Sequence, residues 1–226
     1  MRILAVLHPG GGHGGVLRGR AAAAGAELVE WTPAAGEPEP AGADALVVFG
    51  GGMNVRDAER LPWLRGEIEL LRDALAAARP VLGICLGGQL LAAAAGAEVR
   101  RASTPEIGWR EVQRVAPDPV LGALPERFVA YQWHSYAFDL PPGATELARS
   151  AVCPQAYRLD GRAWGVQFHP EVTDDIVAEW RADKDADPDA AHVDVDAWAR
   201  EDAARLPEWN ALGALLFDAF IRAAAR

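Results

Sequence analysis

The feature that most constrains the fold is an apolar strand that runs directly into a helix. The strand is Val81–Ile84, and Cys85-Leu86-Gly87 leads from it into a helical run of Leu and Ala. Glycine stands two residues before and two residues after Cys85, where a Cβ would collide with the strand or the helix. Open α/β sheets bind ligands at this C-terminal edge of their strands. The sequence therefore predicts an α/β fold with a reactive position at Cys85.

The rest of the first hundred residues alternates between short apolar strands and a helical pattern. The predicted strands are Ile3–Leu7, Glu27–Trp31 and Ala45–Phe49, and the predicted helix is Leu61–Arg79. Continuous apolar strands that alternate with helices indicate a parallel sheet covered on both faces. We therefore expect a three-layer, flavodoxin-like α/β domain with a mostly parallel central sheet.

After about residue 105 the pattern changes to alternating segments separated by Pro- and Gly-bearing turns. We interpret these segments as antiparallel or mixed strands added to the same sheet: Arg110–Val115, Phe128–Tyr131, Thr145–Ala148, Ala156–Leu159 and Ala163–Phe168. Helices near Val172–Arg181 and Glu208–Ala225 close the chain. The prediction is one domain over residues 1–226, with a C-terminal helical extension over about 183–226.

Charge and composition exclude several classes of partner. The 226 residues include 22 basic and 32 acidic side chains, which gives a net charge of −10. Nucleic acid or an anionic membrane would be repelled. Two cysteines are too few for a disulfide framework, and no apolar run approaches the roughly 20 residues of a membrane span. We expect a cytoplasmic protein without nucleic-acid or membrane partners.

Cys85 at the elbow is suited to nucleophilic catalysis. A helix N-terminus stabilises the negative charge of a thiolate, and the N–H of Leu86 would face a developing oxyanion. A thiol nucleophile needs a base, and the base needs an orienting partner. His169 ends a predicted strand, Pro170 fixes the backbone after it, and Glu171 could hold its imidazole. The competing interpretation is a buried structural cysteine.

Two motifs carry a family resemblance. Gly-Ile-Cys-Leu-Gly-Gly-Gln at residues 83–89 and Gly-Val-Gln-Phe-His-Pro-Glu at residues 165–171 resemble the class I, or triad, glutamine amidotransferases. A third segment, Phe49-Gly-Gly-Gly-Met-Asn-Val with Leu61-Pro-Trp after it, resembles the Gly-Gly-Pro loop of that family. It is similar to the variant in stand-alone amidotransferases that resemble the glutaminase domain of GMP synthetase.

The resemblance implies a role for each matching residue. Cys85 is the nucleophile, His169 the general base and acid, and Glu171 its orienting partner. Gly51 and Leu86 supply the N–H groups of the oxyanion hole. No cofactor and no metal ion is implied.

The resemblance also implies a substrate site. Gln89 matches a side chain that contacts the substrate, and the segment with Trp133, Ser135 and Tyr136 matches one whose backbone receives the substrate's amino and carboxylate groups. Gly52, also assigned to the substrate site, stands where proline is usual. Ser135 stands where glycine is common.

Three functions remain open at this point. The first is hydrolysis of the glutamine side-chain amide, with the ammonia released or passed to a separate synthetase chain. The second is hydrolysis of γ-glutamyl peptides or amines by the same triad, with Trp109, Trp133 and Tyr136 as candidate pocket walls. The third is a catalytically silent binding or regulatory module.

Three other features have simpler interpretations. The glycine run Gly10–Gly15, with Glu30 beyond it, formally fits a dinucleotide-binding turn, but we interpret it as a flexible loop near the active-site rim. The acidic segment Asp183–Asp189 is interpreted as a solvated loop rather than a metal site formed by Asp187, Asp189 and His192. Cys153 is interpreted as an incidental thiol.

Overall fold

The computed structural model of the protein describes residues 1–191 and 193–226. The described strands are β1 Arg2–Val6, β2 Glu27–Trp31, β3 Ala45–Val48, β4 Val81–Ile84, β5 Val99–Arg114, β6 Arg127–Phe138, β7 Thr145–Arg149, β8 Pro154–Leu159 and β9 Ala163–Val166. The described α-helices are α1 Gly15–Ala23, α2 Pro62–Ala76, α3 Leu86–Ala94, α4 Asp174–Ala182 and α5 Val195–Ala224.

The strands form a single mixed sheet whose order is β2-β1-β3-β4-β9-β8-β7-β5-β6. The first five strands in that order are parallel, since β4 pairs with β9 in the same direction. From β9 onward each neighbouring pair is antiparallel. The predicted α/β class, with a parallel core and added antiparallel strands, is therefore confirmed.

Two apolar layers cover the two faces of the parallel strands. Ile3 and Ala5 of β1 point into one layer and Leu4 and Val6 into the other, as the period of two along a strand requires. The first layer is filled from α1, α4 and α5, and the second from α2 and α3. The three-layer arrangement leaves the carboxyl ends of β1, β3, β4 and β9 on one edge.

The structure differs from the predicted elements mainly after residue 95. Strands β5 and β6 are longer than the segments that the alternation predicted, because β5 pairs with β6 through a bulge between Arg101 and Glu106. Helix α5 begins at Val195 rather than at Glu208, and it contains Pro207 in its interior. Its start is capped by Asp194, whose carboxylate accepts hydrogen bonds from the N–H groups of Asp196 and Ala197.

Among the described residues no helix is both long enough and apolar enough to cross a bilayer. The assignment of residues 1–226 to one domain stays a prediction, as does the cytoplasmic location.

Candidate active site

Cys85 sits on a sharp turn between β4 and α3. Its backbone has φ 50° and ψ −109°, a strained conformation for a residue other than glycine. A Cβ on Gly83 would lie 2.5 Å from the carbonyl oxygen of Gly87, and one on Gly87 would lie 2.0 Å from that of Val48. The two glycines of the motif are therefore required by close packing, as the sequence predicted. The turn brings the thiol to the carboxyl edge of the sheet.

His169 follows β9, the neighbour of β4 in the sheet. Its Nδ1 lies 2.7 Å from Oε1 of Glu171, and both side chains are buried. Trp180 packs edge-on against the imidazole, with ring centroids 4.8 Å apart. Helix α5 holds the backbone here, because Trp209 donates its indole N–H to the carbonyl of His169 at 2.8 Å. The ring is thus fixed in orientation from two sides.

The electrostatic setting keeps His169 protonated. Burial alone would lower the pKa of the imidazole, but the negative charges of Glu171 and Cys85 outweigh it and raise the pKa to about 10. Its Nε2 is buried and has no hydrogen-bond partner among the described residues. A protonated imidazole beside a sulfur nucleophile can deliver a proton to a leaving group and stabilise a thiolate.

The glycine loop after β3 lies against both Cys85 and His169. A Cβ on Gly50 would lie 2.9 Å from Cε1 of His169 and 3.5 Å from the Cβ of Cys85. Gly51, which follows it, lines the cleft beside the thiol together with Leu86, the first residue of α3. The two predicted oxyanion donors therefore line the same cavity as Cys85.

Two adjoining cavities are lined by Cys85. One is about 380 Å³, and its lining contains every residue predicted for substrate and oxyanion binding: Gly51, Gly52, Leu86, Gln89, Trp133, Ser135 and Tyr136. The other is about 300 Å³ and is lined by His169, Trp180 and Asp183. The residues that line both are Gly51, Cys85, Trp133, Ala186 and Asp187. The thiol of Cys85 thus lies where the two cavities meet.

Sequence reasoning missed Gln167, whose side chain contacts the thiol of Cys85. Gln167 places its Nε2 3.6 Å from the Cys85 sulfur, while its Oε1 lies 3.3 Å from Nε2 of Gln89. Gln89 in turn donates to the carbonyl of Tyr136 at 2.9 Å. The available signal was the position of Gln167 two residues before His169, which puts both side chains on one face of an extended segment.

The acidic segment is not the solvated loop that its composition suggested. Asp187 accepts a hydrogen bond from the indole N–H of Trp133 at 2.7 Å. Asp189 accepts from the Ser135 hydroxyl at 2.5 Å and from Arg101 at 2.7 Å. These contacts hold the segment over the cleft, where it forms part of both cavity walls. His192, which was weighed as a metal ligand with them, lies outside the described residues.

The glycine run Gly10–Gly15 begins at the rim of the 300 Å³ cavity, and two of its glycines, Gly11 and Gly15, are tightly packed. A Cβ on Gly11 would lie 2.0 Å from the carbonyl oxygen of Gly50, and one on Gly15 would lie 1.9 Å from that of Glu171. Glu30, which a dinucleotide site would need for a ribose, is paired with Arg18 at 2.6 Å. Close packing therefore explains Gly11 and Gly15.

Trp109 and Cys153 lie away from the thiol of Cys85. Trp109 is buried, donates to Asp202 at 2.8 Å and packs edge-on against Tyr131, so it is a core residue rather than a pocket wall. Cys153 lies 3.5 Å from Oε2 of Glu106, and burial together with that carboxylate raises the pKa of its thiol to about 12. This agrees with an unreactive thiol.

The comparison with known families matches residues 16–176 to the family described as Glutamine amidotransferase class-I. That stretch contains the elbow, the glycine loop, His169 and Glu171. The chain belongs to the class I glutamine amidotransferases. A glutamine amidotransferase from Thermotoga maritima has the same fold, with a TM-score of 0.90 and 28% identity over 100% of this chain and 99% of that one.

Curated relatives of this amidotransferase include proteins of two lengths. A GMP synthase (glutamine-hydrolyzing) of Thermomicrobium roseum is 41% identical over 131 residues, which is 56% of this chain and 23% of that protein. One subunit of the GMP synthase (glutamine-hydrolyzing) of Sulfolobus acidocaldarius is 34% identical over 131 residues, which is 56% of this chain and 66% of that relative. The amidotransferase thus matches under a quarter of the longer relative.

Proposed function

We propose that the protein hydrolyses the side-chain amide of glutamine to glutamate and ammonia, with Cys85, His169 and Glu171 as its triad. The observation that carries the proposal is the strained elbow that places Cys85 beside a histidine held by a buried carboxylate. Family membership supports it, since the name of the T. roseum relative includes glutamine hydrolysis.

The first half of the reaction forms a thioester. The Cys85 thiolate attacks the γ-carbonyl, and the electron pair of the C=O bond moves onto oxygen. The N–H groups of Gly51 and Leu86 stabilise that oxyanion. Collapse of the tetrahedral intermediate breaks the C–N bond, and the proton on Nε2 of His169 passes to the departing ammonia. Glu171 stabilises the imidazolium before the transfer and holds its orientation throughout.

The second half releases glutamate. His169, now neutral, takes a proton from water, which attacks the thioester carbonyl. The same two N–H groups stabilise the second oxyanion, and its collapse returns the thiolate of Cys85 and leaves His169 protonated. Proton and charge are therefore restored at the end of each turnover.

We propose the 380 Å³ cleft as the glutamine site. It is lined by Gln89, by Trp133, Ser135 and Tyr136 of β6, and by Gly52 of the glycine loop. Arg101 is the basic side chain in this lining, and Asp187 and Asp189 are the acidic ones. A zwitterionic amino acid would meet groups of both signs there.

We propose that the ammonia is used by a separate chain. The matched GMP synthase of T. roseum is much longer than this chain, and the S. acidocaldarius relative is named as one subunit of such an enzyme. By analogy with that subunit, the proposed synthetase partner is another polypeptide. Co-purification with that partner, followed by glutamine-dependent amidation of its substrate, is the measurement that would identify it.

The proposal is tested by coupling ammonia release to covalent trapping. Wild type should release ammonia from glutamine, and intact-protein mass spectrometry should show a glutamine-like electrophile attached to Cys85. The Cys85→Ser variant is the control and should do neither. A wild type that neither hydrolyses any γ-glutamyl amide nor labels under native conditions would show that this is a silent module.

The cavity beside His169 favours one alternative, hydrolysis of γ-glutamyl amines or peptides. Ammonia needs only about 30 Å³, the share of liquid volume of a water molecule, yet the space there is about 300 Å³. Trp133 and Trp180 line it together with Asp183 and Asp187. A larger amine would fit on the leaving-group side.

A substrate panel separates the two candidates. Glutamine, a γ-glutamyl dipeptide and γ-glutamyl amines with neutral or positively charged leaving groups would be compared by kcat/KM. If glutamine is not hydrolysed above background while a γ-glutamyl amine is, the second function replaces the first.

A further inference from the structure

A buried pair of titratable residues lies beneath the glycine loop and has no part in the proposed triad. His8 follows β1, and Glu67 lies in α2. Their side chains are 0% and 1% exposed, and Nε2 of His8 lies 2.8 Å from Oε2 of Glu67. Nδ1 of His8 lies 3.1 Å from the carbonyl oxygen of Gly50. The histidine therefore bridges a carboxyl group and the backbone of the loop beside Cys85.

The hydrogen bonds determine where the protons are. The Gly50 carbonyl can only accept, so Nδ1 of His8 carries a proton and donates it. The Nε2–Oε2 contact then also needs a proton, either on the imidazole or on the carboxyl group. The Glu67 side chain thus fixes the tautomer that lets Nδ1 donate to the loop, much as a carboxylate orients a catalytic histidine.

The hydrogen bond to Gly50 also sets the direction of the next N–H. The peptide that joins Gly50 to Gly51 is planar, and in a trans peptide the C=O and the N–H point in opposite directions. With its oxygen held by His8, the peptide must direct the N–H of Gly51 away from His8. Gly51 and Cys85 line the same two cavities, so this is the N–H that we assign to the oxyanion hole.

Close packing leaves the peptide little freedom to rotate. A Cβ on Gly11 would lie 2.0 Å from the Gly50 oxygen, and one on Gly51 would lie 2.6 Å from the Cβ of His8. The ring of Trp63 lies 6.1 Å from that of His8, on its α2 side. The glycine run after β1 therefore lets the chain pack directly on the carbonyl that His8 holds.

A purely structural role explains this pair less well. Oε1 of Glu67 is buried and has no hydrogen-bond partner among the described residues, so His8 is the group that offsets the burial of this carboxyl. Well-packed apolar side chains commonly stabilise a core as well as a buried ionic pair does, or better. This buried pair also contacts the glycine loop beside Cys85. A role in positioning that loop therefore explains it better than a role in stability alone.

We propose that His8 and Glu67 are positioning residues that orient the Gly50–Gly51 peptide for oxyanion stabilisation. The inference rests on the proposed hydrolysis of a γ-glutamyl amide. His8 acts through the peptide, and Glu67 acts through His8. Their loss should therefore weaken the transition state of acyl transfer and leave the thiol and the substrate site in place.

The experiment compares variants that keep or remove the hydrogen bonds. Glu67→Gln can donate its amide N–H to Nε2 of a neutral His8, so Nδ1 still donates to Gly50. Glu67→Leu and His8→Leu remove the chain of hydrogen bonds. Each variant is assayed for kcat and KM with glutamine, or with the best γ-glutamyl substrate of wild type. Alkylation of Cys85 by iodoacetamide is measured in parallel, because displacement at a saturated carbon forms no oxyanion.

Loss of a complete oxyanion donor lowers kcat about 100- to 1000-fold. We expect the leucine variants to lose at least about 10-fold in kcat, with KM within about 3-fold and the alkylation rate within about 2-fold, since one donor is misdirected rather than removed. Glu67→Gln should stay within about 3-fold of wild type in kcat. Leucine variants with unchanged kcat, or with kcat and alkylation reduced in parallel, would overturn the positioning role.

If the leucine variants do not fold, His8→Asn and His8→Gln decide the matter. Asn can still donate to Gly50 from the place of Nδ1, whereas Gln extends toward Glu67. Higher kcat for Asn than for Gln supports the proposal, and equal or reversed values overturn it. A wild type inactive on every γ-glutamyl substrate would instead overturn the proposed function, and this assignment with it.

Discussion

Two regions of this molecule each contain one cysteine, one histidine and one glutamate, and they are arranged in opposite ways. At the elbow, Nδ1 of His169 lies 2.7 Å from Glu171, and its Nε2 has no hydrogen-bond partner among the described residues. Across the antiparallel strands, Glu106 is the central group of the second cluster. It lies 3.3 Å from Nε2 of His134 and 3.5 Å from the sulfur of Cys153.

The central group decides what each thiol can do. At the elbow the central group is the imidazole of His169, whose pKa is raised to about 10. A carboxylate next to Cys153 disfavours a negative sulfur, and with burial it raises the pKa of that thiol to about 12. Glu106 itself stays anionic: burial would raise its pKa, but His134, Ser150 and Cys153 hold the pKa below its ordinary value. The same three residue types therefore surround one thiol with a cationic imidazole and the other with a carboxylate, and we propose a nucleophile only at the first.

The largest expected difference between the clusters is the decrease in kcat when each thiol is removed. Cys85→Ala should lower kcat at least about 1000-fold, because the covalent route disappears. Cys153→Ala should leave kcat within about 3-fold. Ammonia release under saturating substrate measures both. Comparable losses from the two substitutions would mean that the arrangement of the clusters does not separate their roles.

The glutamates give the next largest contrast. Glu171→Gln should lower kcat about 100-fold, because the imidazolium loses its charged partner and its orientation. Glu106→Gln should instead lower the free energy of unfolding by about 1–3 kcal/mol, since it weakens a buried network. Steady-state kinetics and urea unfolding on both variants measure the two effects. A Glu106→Gln variant that loses activity without losing stability contradicts this division.

His169 should also make stability depend on pH. Its pKa is raised from 6.5 to about 10 in the folded protein. The folded state therefore holds a proton that the unfolded state releases between these values, so the contribution is complete below about pH 6.5 and is lost as pH rises toward 10. The slope from this group is at most about 1.4 kcal/mol per pH unit.

Urea unfolding between pH 6.5 and 9.5 measures that slope. The free energy of unfolding should fall less steeply with pH in His169→Gln than in wild type. His13→Gln, in which a partly exposed histidine paired with Asp175 is replaced, is the matched control. Equal slopes in wild type and His169→Gln would show that the imidazole is not held as a cation.

The smallest expected effect concerns the reactivity of Cys153. In Glu106→Gln, removal of the negative charge should raise its alkylation rate at pH 8 by about 10-fold, which is a fall of one unit in the pKa of the thiol. Burial is the larger cause of the raised pKa, so Cys153 should still react more slowly than Cys85. Peptide mapping after a timed pulse of iodoacetamide measures both thiols in one sample.

The parts of the site that depend on neighbouring residues were predictable from sequence. Gly83, Cys85 and Gly87 constrain one turn, and each glycine faces a backbone oxygen at a distance that no Cβ allows. Parallel strands also followed from continuous apolar runs such as Val81–Ile84. His169 and Glu171 are two residues apart, so their pairing could be anticipated, although their catalytic roles stay predictions.

Contacts between residues that are far apart in the sequence were not predictable. The second cluster joins Glu106, His134 and Cys153 through the register of antiparallel strands, which sequence patterning does not determine. The contacts of Asp187 and Asp189 with Trp133 and Ser135 likewise span 54 residues each. The last helix was predicted to begin near Glu208, but α5 begins at Val195 and continues through Pro207. Proline is disfavoured inside helices, and tertiary packing overrides that preference here.

Helix α5 fixes the backbone of His169, and this contact affects the order in which the site forms during translation. Trp209 lies 40 residues after the histidine whose carbonyl it binds, and a Cβ on Gly213 would lie 2.2 Å from the oxygen of Pro170. Synthesis proceeds from the N-terminus, and the elbow with Cys85 can form early. On the ribosome, Cys85 is therefore synthesised before helix α5 can fix the backbone of His169. The site is complete only when that helix docks.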